Sequence, residues 1–267
     1  MVTLPQQRAG DSQLSRLLDG CAALTAGDER MISGIALDSR RVSPGACFFA
    51  LGDDPNRVVQ HISQAVARGA VAVVMDAMTT LEPEVATPVI RVVGLAGQLG
   101  SIAADYFGRP SESLAVMAGT GTNVKTTVAH SCAQALSYCG RRCGYLGTLG
   151  AGSLDALVPT GMTTPDPITL QATLAAMLAD GCRAVAMEAS SHSLAQSRLA
   201  GTQIDVAVFT GLGHDHLDYH GDLFAYAAAK RSLFMQAGLK HAILNADDPR
   251  TRTSTRESFA SFSNKGF

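Results

Sequence analysis

At 267 residues and 46% hydrophobic, the chain exceeds one average domain and can bury a sizeable core, so two domains are expected. A formal net charge of -2 gives no electrostatic case for nucleic acid or an anionic membrane, and any anionic ligand must be met by local basic residues. The six cysteines, Cys21, Cys47, Cys132, Cys139, Cys143 and Cys182, lie in apolar segments without CxxC pairs and read as reduced core thiols. The first residues, MVTLPQQRAGDSQ, carry no basic-then-apolar leader, and no run approaches the roughly 18 apolar residues that span a bilayer. The expectation is a soluble, cytoplasmic, monomeric protein.

In chain order, Asp11 could cap a short helix over Ser12 to Leu18, closed by Gly20, with Leu14, Leu17 and Leu18 on its packing face. Ile32 to Leu37 and Cys47 to Leu51 read as strands around the turn-like Arg41-Val42-Ser43-Pro44-Gly45. A helix over His61 to Arg68, a stop at Gly69, and strands over Ala70 to Met75 and Val89 to Val93 complete a small α/β layer. After a helix over Leu95 to Phe107, the turn-rich Gly108 to Ser113 marks the best domain boundary, giving domains 1-110 and 111-267.

The second domain alternates strand and helix. Strands are expected over Leu114 to Ala118, Ala184 to Glu188, Asp205 to Thr210 and Ala242 to Asn245, with a helix near Leu170 to Ala179. That alternation predicts a mainly parallel sheet with helices on both faces, and ligands of such sheets bind outside the carboxyl ends of the strands. The polar residues Lys125, Glu188, Ser190, Ser191, His192, Asp215, His216, Asp218, His220, Asn245, Asp247 and Asp248 fall there.

The stretch LAVMAGTGTNVKTT, Leu114 to Thr127, has the form of a phosphate-binding loop: an apolar strand, a Gly/Thr-rich turn, then Lys125, Thr126 and Thr127. In such loops backbone N–H groups wrap an oligophosphate, the lysine neutralises its outer oxygens, and a Thr hydroxyl meets Mg²⁺. Val128, Cys132, Leu136 and Cys139 follow at near-helical spacing up to Gly140, so a helix N-terminus would face the phosphates. A plain strand-turn-helix connection is the bland alternative. The residue before the lysine, ordinarily Gly, is the β-branched Val124.

Glu188 directly follows the apolar Val185 to Met187, so its carboxylate would emerge at the phosphate end, where Mg²⁺ needs a hard oxygen ligand; a cap or a buried ion pair is the alternative. The segment His214 to His220, HDHLDYH, crowds three histidines and two aspartates into seven positions. Lacking the spacing of zinc motifs, it fits an Mg²⁺ or Mn²⁺ site with one imidazole, or simply a polar surface loop.

Together GTNVKTT, MTTPDPITLQ, MEASSHSLAQSRL, DVAVFTGLGHDHLDYHGDLFAYAAAKRSLF and LNADDP resemble the Mur ligases of peptidoglycan synthesis, and LDSRRVSPGACFFAL is similar to their uridine-binding domain. The TTPD and EASSH segments resemble the branch that adds a diamino acid, meso-diaminopimelate, to UDP-N-acetylmuramoyl-L-alanyl-D-glutamate. The resemblance implies a small α/β uridine-binding domain, then a Rossmann-like P-loop central domain incomplete at its carboxy end, with the amino-acid-bringing third domain absent. It implies an amide ligase that uses ATP and Mg²⁺ through an acyl phosphate.

By resemblance, Gly121, Thr122, Asn123, Lys125, Thr126, Thr127 and Asn245 would hold ATP. Thr126 and Glu188 would ligand one Mg²⁺, and His216 would help hold a second. Lys230, otherwise a plain helix lysine, matches the family's carbamylated lysine, so Lys125, His216 and Lys230 are the implied catalytic residues. Ser39 matches the uracil-contacting serine, and Thr163, Thr164, Ser190 and Arg198 match positions that hold the muramoyl-peptide and its phosphates. Besides Val124, the departures from the pattern are Gly211 for Asn, His214 for Arg, and DDPNRVVQHI where a DGHxF-like loop is usual. The alternatives are another P-loop phosphotransferase and a non-catalytic homologue that binds the UDP-muramoyl-peptide.

Overall fold

A computed structural model describes residues 12–80 and 82–248. The elements, in order, are β1 (Ser12–Gln13), α1 (Leu14–Leu17), β2 (Met31–Ile32), β3 (Gly34–Ala36), β4 (Ala46–Ala50), α2 (Pro55–Ala67), β5 (Ala72–Asp76), β6 (Val89–Val92) and α3 (Leu95–Tyr106). There follow β7 (Ala115–Thr120), α4 (Lys125–Tyr138), β8 (Cys143–Gly147), β9 (Gly150–Ser153), α5 (Pro167–Ala179), β10 (Ala184–Glu188), α6 (Ser191–Ala195), β11 (Val206–Phe209), α7 (Leu217–His220), α8 (Leu223–Arg231) and β12 (His241–Leu244).

The chain divides into two compact units. One contains the described residues up to Pro110 together with Asp166–Ala176 and Gln196–Thr202; the other contains Ser111–Pro165, Met177–Ala195 and the described residues from Gln203 onward. Neither unit is one continuous stretch of chain.

In the first unit β3, β4, β5 and β6 lie side by side, all parallel. Side chains alternate across a strand, and here both faces are apolar. Cys47, Phe49, Ala72, Val74, Ile90 and Val92 pack with Leu14, Leu17 and Leu18 and with Leu95, Leu99 and Ile102 of α3. Phe48, Ala50, Val73 and Met75 point the other way, onto Val58, Ile62 and Ala65 of α2.

Three elements differ from expectation for local reasons. Helix α2 starts six residues before His61, because the Asp54 side chain accepts from the Asn56 N–H and Pro55 takes the first helical position. The strand expected over Ile32 to Leu37 is two: β2 pairs antiparallel with β1, and only β3 joins the parallel sheet. The helix expected from Ser12 is the single turn of α1, and Asp11 lies outside the described residues.

The second unit has a six-stranded sheet in the order β12-β11-β7-β10-β8-β9, parallel except for the β8–β9 hairpin. β7, flanked by β10 on one side and β11 on the other, is the point at which the strand order reverses. Helix α4 lays Ala129 and Ala133 on Cys143, Tyr145, Ala184 and Ala186, small residues that bring helix and sheet close. All six cysteines are free; Cys47, Cys143 and Cys182 are buried, Cys21 and Cys132 half-buried, and Cys139 is exposed at the end of α4, so not all are core thiols. Among the described residues no helix is long and apolar enough to cross a membrane.

Asp205 ties the amino ends of three strands together. Its Oδ2 accepts the Val116 N–H of β7 at 2.8 Å, its backbone oxygen accepts from Lys240 and His241 at the start of β12, and its Oδ1 meets Lys240 Nζ at 2.7 Å. Asp205→Ala leaves a buried backbone N–H unpaired and is expected to cost about 1–3 kcal/mol in urea unfolding. Lys240→Ala, which removes only the mostly exposed partner, should cost less than about 1 kcal/mol.

Candidate functional site

The carboxyl end of β7 runs into Gly121 to Val124 and then the first turn of α4. Gly121 has φ +153°, and a Cβ there would collide with the Thr210 hydroxyl, so glycine is required. The loop is bound to the one after β11: Thr122 N donates to Gly211 O at 2.9 Å, Gly213 N donates to Thr122 Oγ1 at 2.7 Å, and Thr210 Oγ1 donates to Asn123 O at 2.7 Å. Val124 takes the left-handed conformation, φ +57° and ψ +9°, with its side chain exposed. A non-glycine residue there costs roughly 1–2 kcal/mol, more for a β-branched one.

Lys125 folds back over the loop, its Nζ donating to Gly121 O at 2.9 Å and Thr122 O at 3.1 Å. Burial pushes its pKa down, opposed by Glu188 and Asp215. Thr126 donates to Glu188 Oε2 at 3.0 Å, and Thr127 is exposed on the same turn.

Glu188, fully buried at the end of β10, is surrounded by donors. Its Oε1 accepts from Tyr145 Oη at 2.6 Å and Thr148 N at 2.9 Å, and its Oε2 also lies 3.4 Å from Thr148 Oγ1. The Tyr145 phenol is pushed up by burial and by the carboxylate it faces. Gly147 lacks a side chain for a steric reason, since a Cβ would strike both Glu188 Oε1 and Tyr145 Oη. The Glu188 backbone oxygen accepts from the buried Thr164, whose hydroxyl in turn accepts from Ser190 N, and Thr163 meets Thr148 through their hydroxyls at 3.1 Å.

Lys230, on α8, is 2% exposed and donates from Nζ to Gly121 O at 2.8 Å, the same carbonyl that Lys125 uses. Its ammonium lies 4.4 Å from the Tyr226 ring, and Tyr226 Oη pairs with Thr122 Oγ1 at 3.0 Å. Burial, and then the charge of Lys125, bring the Lys230 pKa down to about 7.

A ring cluster adjoins it: His192 lies 4.7 Å from His216, 4.2 Å from Tyr219 and 5.6 Å from His220, and His220 lies 5.3 Å from Tyr226. His216 takes a left-handed backbone, φ +52°, and its Nε2 is 3.5 Å from Asp215 Oδ2. Burial, then His192, Lys230 and His216, lower the His220 pKa, and its Nε2 is buried without a hydrogen-bond partner. Among the described residues no group of three His, Cys, Asp or Glu side chains converges as a metal cage.

The structure therefore brings together Lys125 and Lys230 on one carbonyl, and Thr126, Thr163, Thr164 and Ser190 around Glu188. Asn245 Nδ2 donates to Thr210 O at 3.0 Å, behind the loop after β11. Asp248 accepts the Leu212 N–H of that loop, whose Gly211 has φ +140° and where a Cβ would press on the same carboxylate. Ser39 and Arg198 belong to the other unit: Ser39 is buried and donates to Gln64 Oε1, and Arg198 is bonded to Gln196. Sequence reading missed Tyr145, Thr148 and Tyr226. Tyr226 stands four residues before Lys230 on one helix face, a signal that was available; Tyr145 lies among small residues in a strand that was not foreseen.

A strand, glycine loop, lysine and helix N-terminus, with a buried carboxylate on the neighbouring strand, all at the reversal point of a parallel sheet, define a P-loop nucleotide-binding domain. Residues 120–266 match the Mur ligase middle domain, and the chain belongs to the Mur ligase family. It is 48% identical over 219 residues to a UDP-N-acetylmuramoyl-L-alanyl-D-glutamate--2,6-diaminopimelate ligase of Pseudomonas aeruginosa, covering 82% of this chain and 45% of the relative. The ligase of the same name from Alkalilimnicola ehrlichii is 43% identical over 245 residues, 88% of this chain and 49% of the relative. The chain thus spans about half the length of the curated relatives it matches. A solved structure of a ligase of that name superposes with a TM-score of 0.80 at 33% identity, covering 94% of this chain and 50% of the other. A Thermotoga maritima MurF ligase solved in complex with ADP shares the fold, with a TM-score of 0.57 at 20% identity over 84% of this chain and 48% of the other.

The depressed Lys230 pKa has a consequence for stability. Between about pH 7 and the ordinary lysine value near 10.5 the unfolded chain holds a proton that the folded chain has released, so stability rises with pH across that window. Below about 7 the full penalty of the buried charge is present. Urea unfolding from pH 7 to about 8, below the range where thiols that burial keeps protonated ionise in the unfolded chain, should show this rise, by at most about 1.4 kcal/mol per pH unit, and Lys230→Met should remove that component.

Proposed function

We propose that the chain carries the uridine-binding domain, residues 1-110, and part of the ATP-binding central domain, residues 111-267, of an ATP-dependent amide ligase. The reaction is the addition of a diamino acid, meso-diaminopimelate, to UDP-N-acetylmuramoyl-L-alanyl-D-glutamate in peptidoglycan synthesis. The names of the relatives support the substrates, and the observation that carries the chemistry is the joining of the Lys125 loop to the buried Glu188 through Thr126. A cytoplasmic monomer is part of this reading.

The donor set suits Mg²⁺, which prefers hard oxygen ligands and is usually held by one or two carboxylates together with substrate phosphates. Thr126 and Glu188 would hold it, and it would supply positive charge against the transferring phosphoryl group. Lys125 would leave the Gly121 and Thr122 carbonyls for the phosphate oxygens, with Gly121, Thr122, Asn123, Thr127 and Asn245 also holding the nucleotide. His216 and a carbamylated Lys230 would serve a second cation. Ser39 would contact uracil, and Thr163, Thr164, Ser190 and Arg198 would hold the muramoyl-peptide and its phosphates, fixing the terminal carboxylate for attack on ATP and the acyl phosphate for displacement by the amine.

Carbamylation needs a neutral amine, and the low pKa of Lys230 supplies one near neutral pH. With ¹³C-bicarbonate, Mg²⁺ and ADP present, a carbamate carbon signal is expected in the chain and not in Lys230→Met. A signal equal in both would count against Lys230.

Val124 favours a second reading, a homologue that binds the UDP-muramoyl-peptide and handles ATP poorly, because the loop places a β-branched residue at φ +57°. That strain is present without nucleotide, so Val124→Gly should raise stability by roughly 1–2 kcal/mol in urea unfolding; to the extent that nucleotide binding adds strain at Val124, each ~1.4 kcal/mol relieved raises ATP affinity about tenfold in calorimetry. Binding of the UDP-muramoyl-dipeptide should be unaffected. Equal ATP affinity in both chains would show that the loop tolerates the side chain.

A further inference from the structure

Glu188 presents its two oxygens unequally. Oε1 takes two donors, the Tyr145 phenol at 2.6 Å and the Thr148 N–H at 2.9 Å, and these occupy both of its acceptor directions. Oε2 faces Thr126 at 3.0 Å, on the side of the phosphate loop, with only the longer Thr148 hydroxyl contact beside it. The arrangement is held on every side: Tyr145 is fully buried under α4, its ring edge-on to His130 at 5.5 Å, and the missing side chain of Gly147 leaves the space in which phenol and carboxylate meet.

We propose that Tyr145 is a positioning residue that, by occupying Oε1, offers Glu188 to a cation through Oε2 alone and so selects a small octahedral cation over calcium. The proposal rests on the reading of Glu188 as a cation ligand. Its physical basis is the difference between the two ions. Ca²⁺ accepts carboxylates through both oxygens in flexible shells of six to eight ligands, whereas Mg²⁺ and cations of similar size favour compact octahedra of single oxygens. A carboxylate locked on one side can serve the second kind of shell but not chelate through both oxygens. Thr148 cannot do this alone, since its N–H fills only one acceptor direction of Oε1.

The test titrates the full chain with Mn²⁺ and with Ca²⁺, each alone and with ADP, following free Mn²⁺ by its EPR signal and Ca²⁺ by competition. Tyr145→Phe keeps the ring and removes only the hydroxyl. It is expected to weaken Mn²⁺ binding about tenfold or more, as loss of a partner behind a ligand typically does, and to shift the Mn²⁺ to Ca²⁺ affinity ratio toward Ca²⁺. ADP affinity measured in EDTA should not change. Gly147→Ala, which forces a methyl against both the phenol and the carboxylate, should shift the ratio in the same direction and serves if Tyr145→Phe does not fold. A purely structural tyrosine would lower the unfolding temperature of Tyr145→Phe while leaving the ratio at its original value, and that result overturns the proposal. Glu188→Gln separates the two levels: if it weakens Mn²⁺ binding and Tyr145→Phe does not, the role of Tyr145 alone fails. If Glu188→Gln has no effect, the ligand reading and the proposal fall together.

Discussion

The second unit depends on one buried carboxylate. Glu188 sits in the interior at the end of a central strand, where an uncompensated charge would be costly, and the surrounding chain meets it with donors from three directions. The phenol of Tyr145 comes from β8, the N–H of Thr148 from the β8–β9 turn, and the hydroxyl of Thr126 from α4. Meeting that requirement joins the phosphate loop, β8 and the β8–β9 turn to a single side chain, while the Glu188 backbone oxygen separately takes the hydroxyl of Thr164.

A second constraint opposes the first in sign. Two lysines direct their ammonium groups at the carbonyl of Gly121, and one of them, Lys230, is almost wholly out of water. The carbonyl and the face of Tyr226 compensate only part of that burial, which is why its pKa falls to about 7. A strongly perturbed titratable group beside a strained loop at a sheet's reversal point marks a site built for charge handling rather than for stability. The positive-φ conformations of Val124 and His216 lie at its edge, one at each flanking loop.

What was readable from the chain followed from periodicity and local chemistry. The strand-loop-lysine order at Leu114 to Thr127, the parallel alternation after it and the position of Glu188 after an apolar run all depend on near neighbours, and the structure has them as a strand, a P-loop and a strand end. Less regular stretches were not legible. The strand Cys143–Gly147 hides among glycines and one tyrosine, α2 begins at a cap that lies before its apolar pattern, and the short helices α6 and α7 carry no period long enough to see.

The sequence by itself determined the fold class, the family and the loop that would face a phosphate, because each is carried by short motifs and periodic segments that can be read one at a time, in chain order. Only the tertiary structure decided that Val124 adopts the left-handed conformation, that Lys230 is buried against the carbonyl Lys125 uses, and that the Tyr145 hydroxyl and the Thr148 N–H both meet Glu188 Oε1. Tyr145 and Glu188 are 43 positions apart and Lys230 and Gly121 are 109 apart. Parallel strands with helical crossovers bring such distant residues together, and no local pattern in the chain records which side chains then meet or how deeply they are buried.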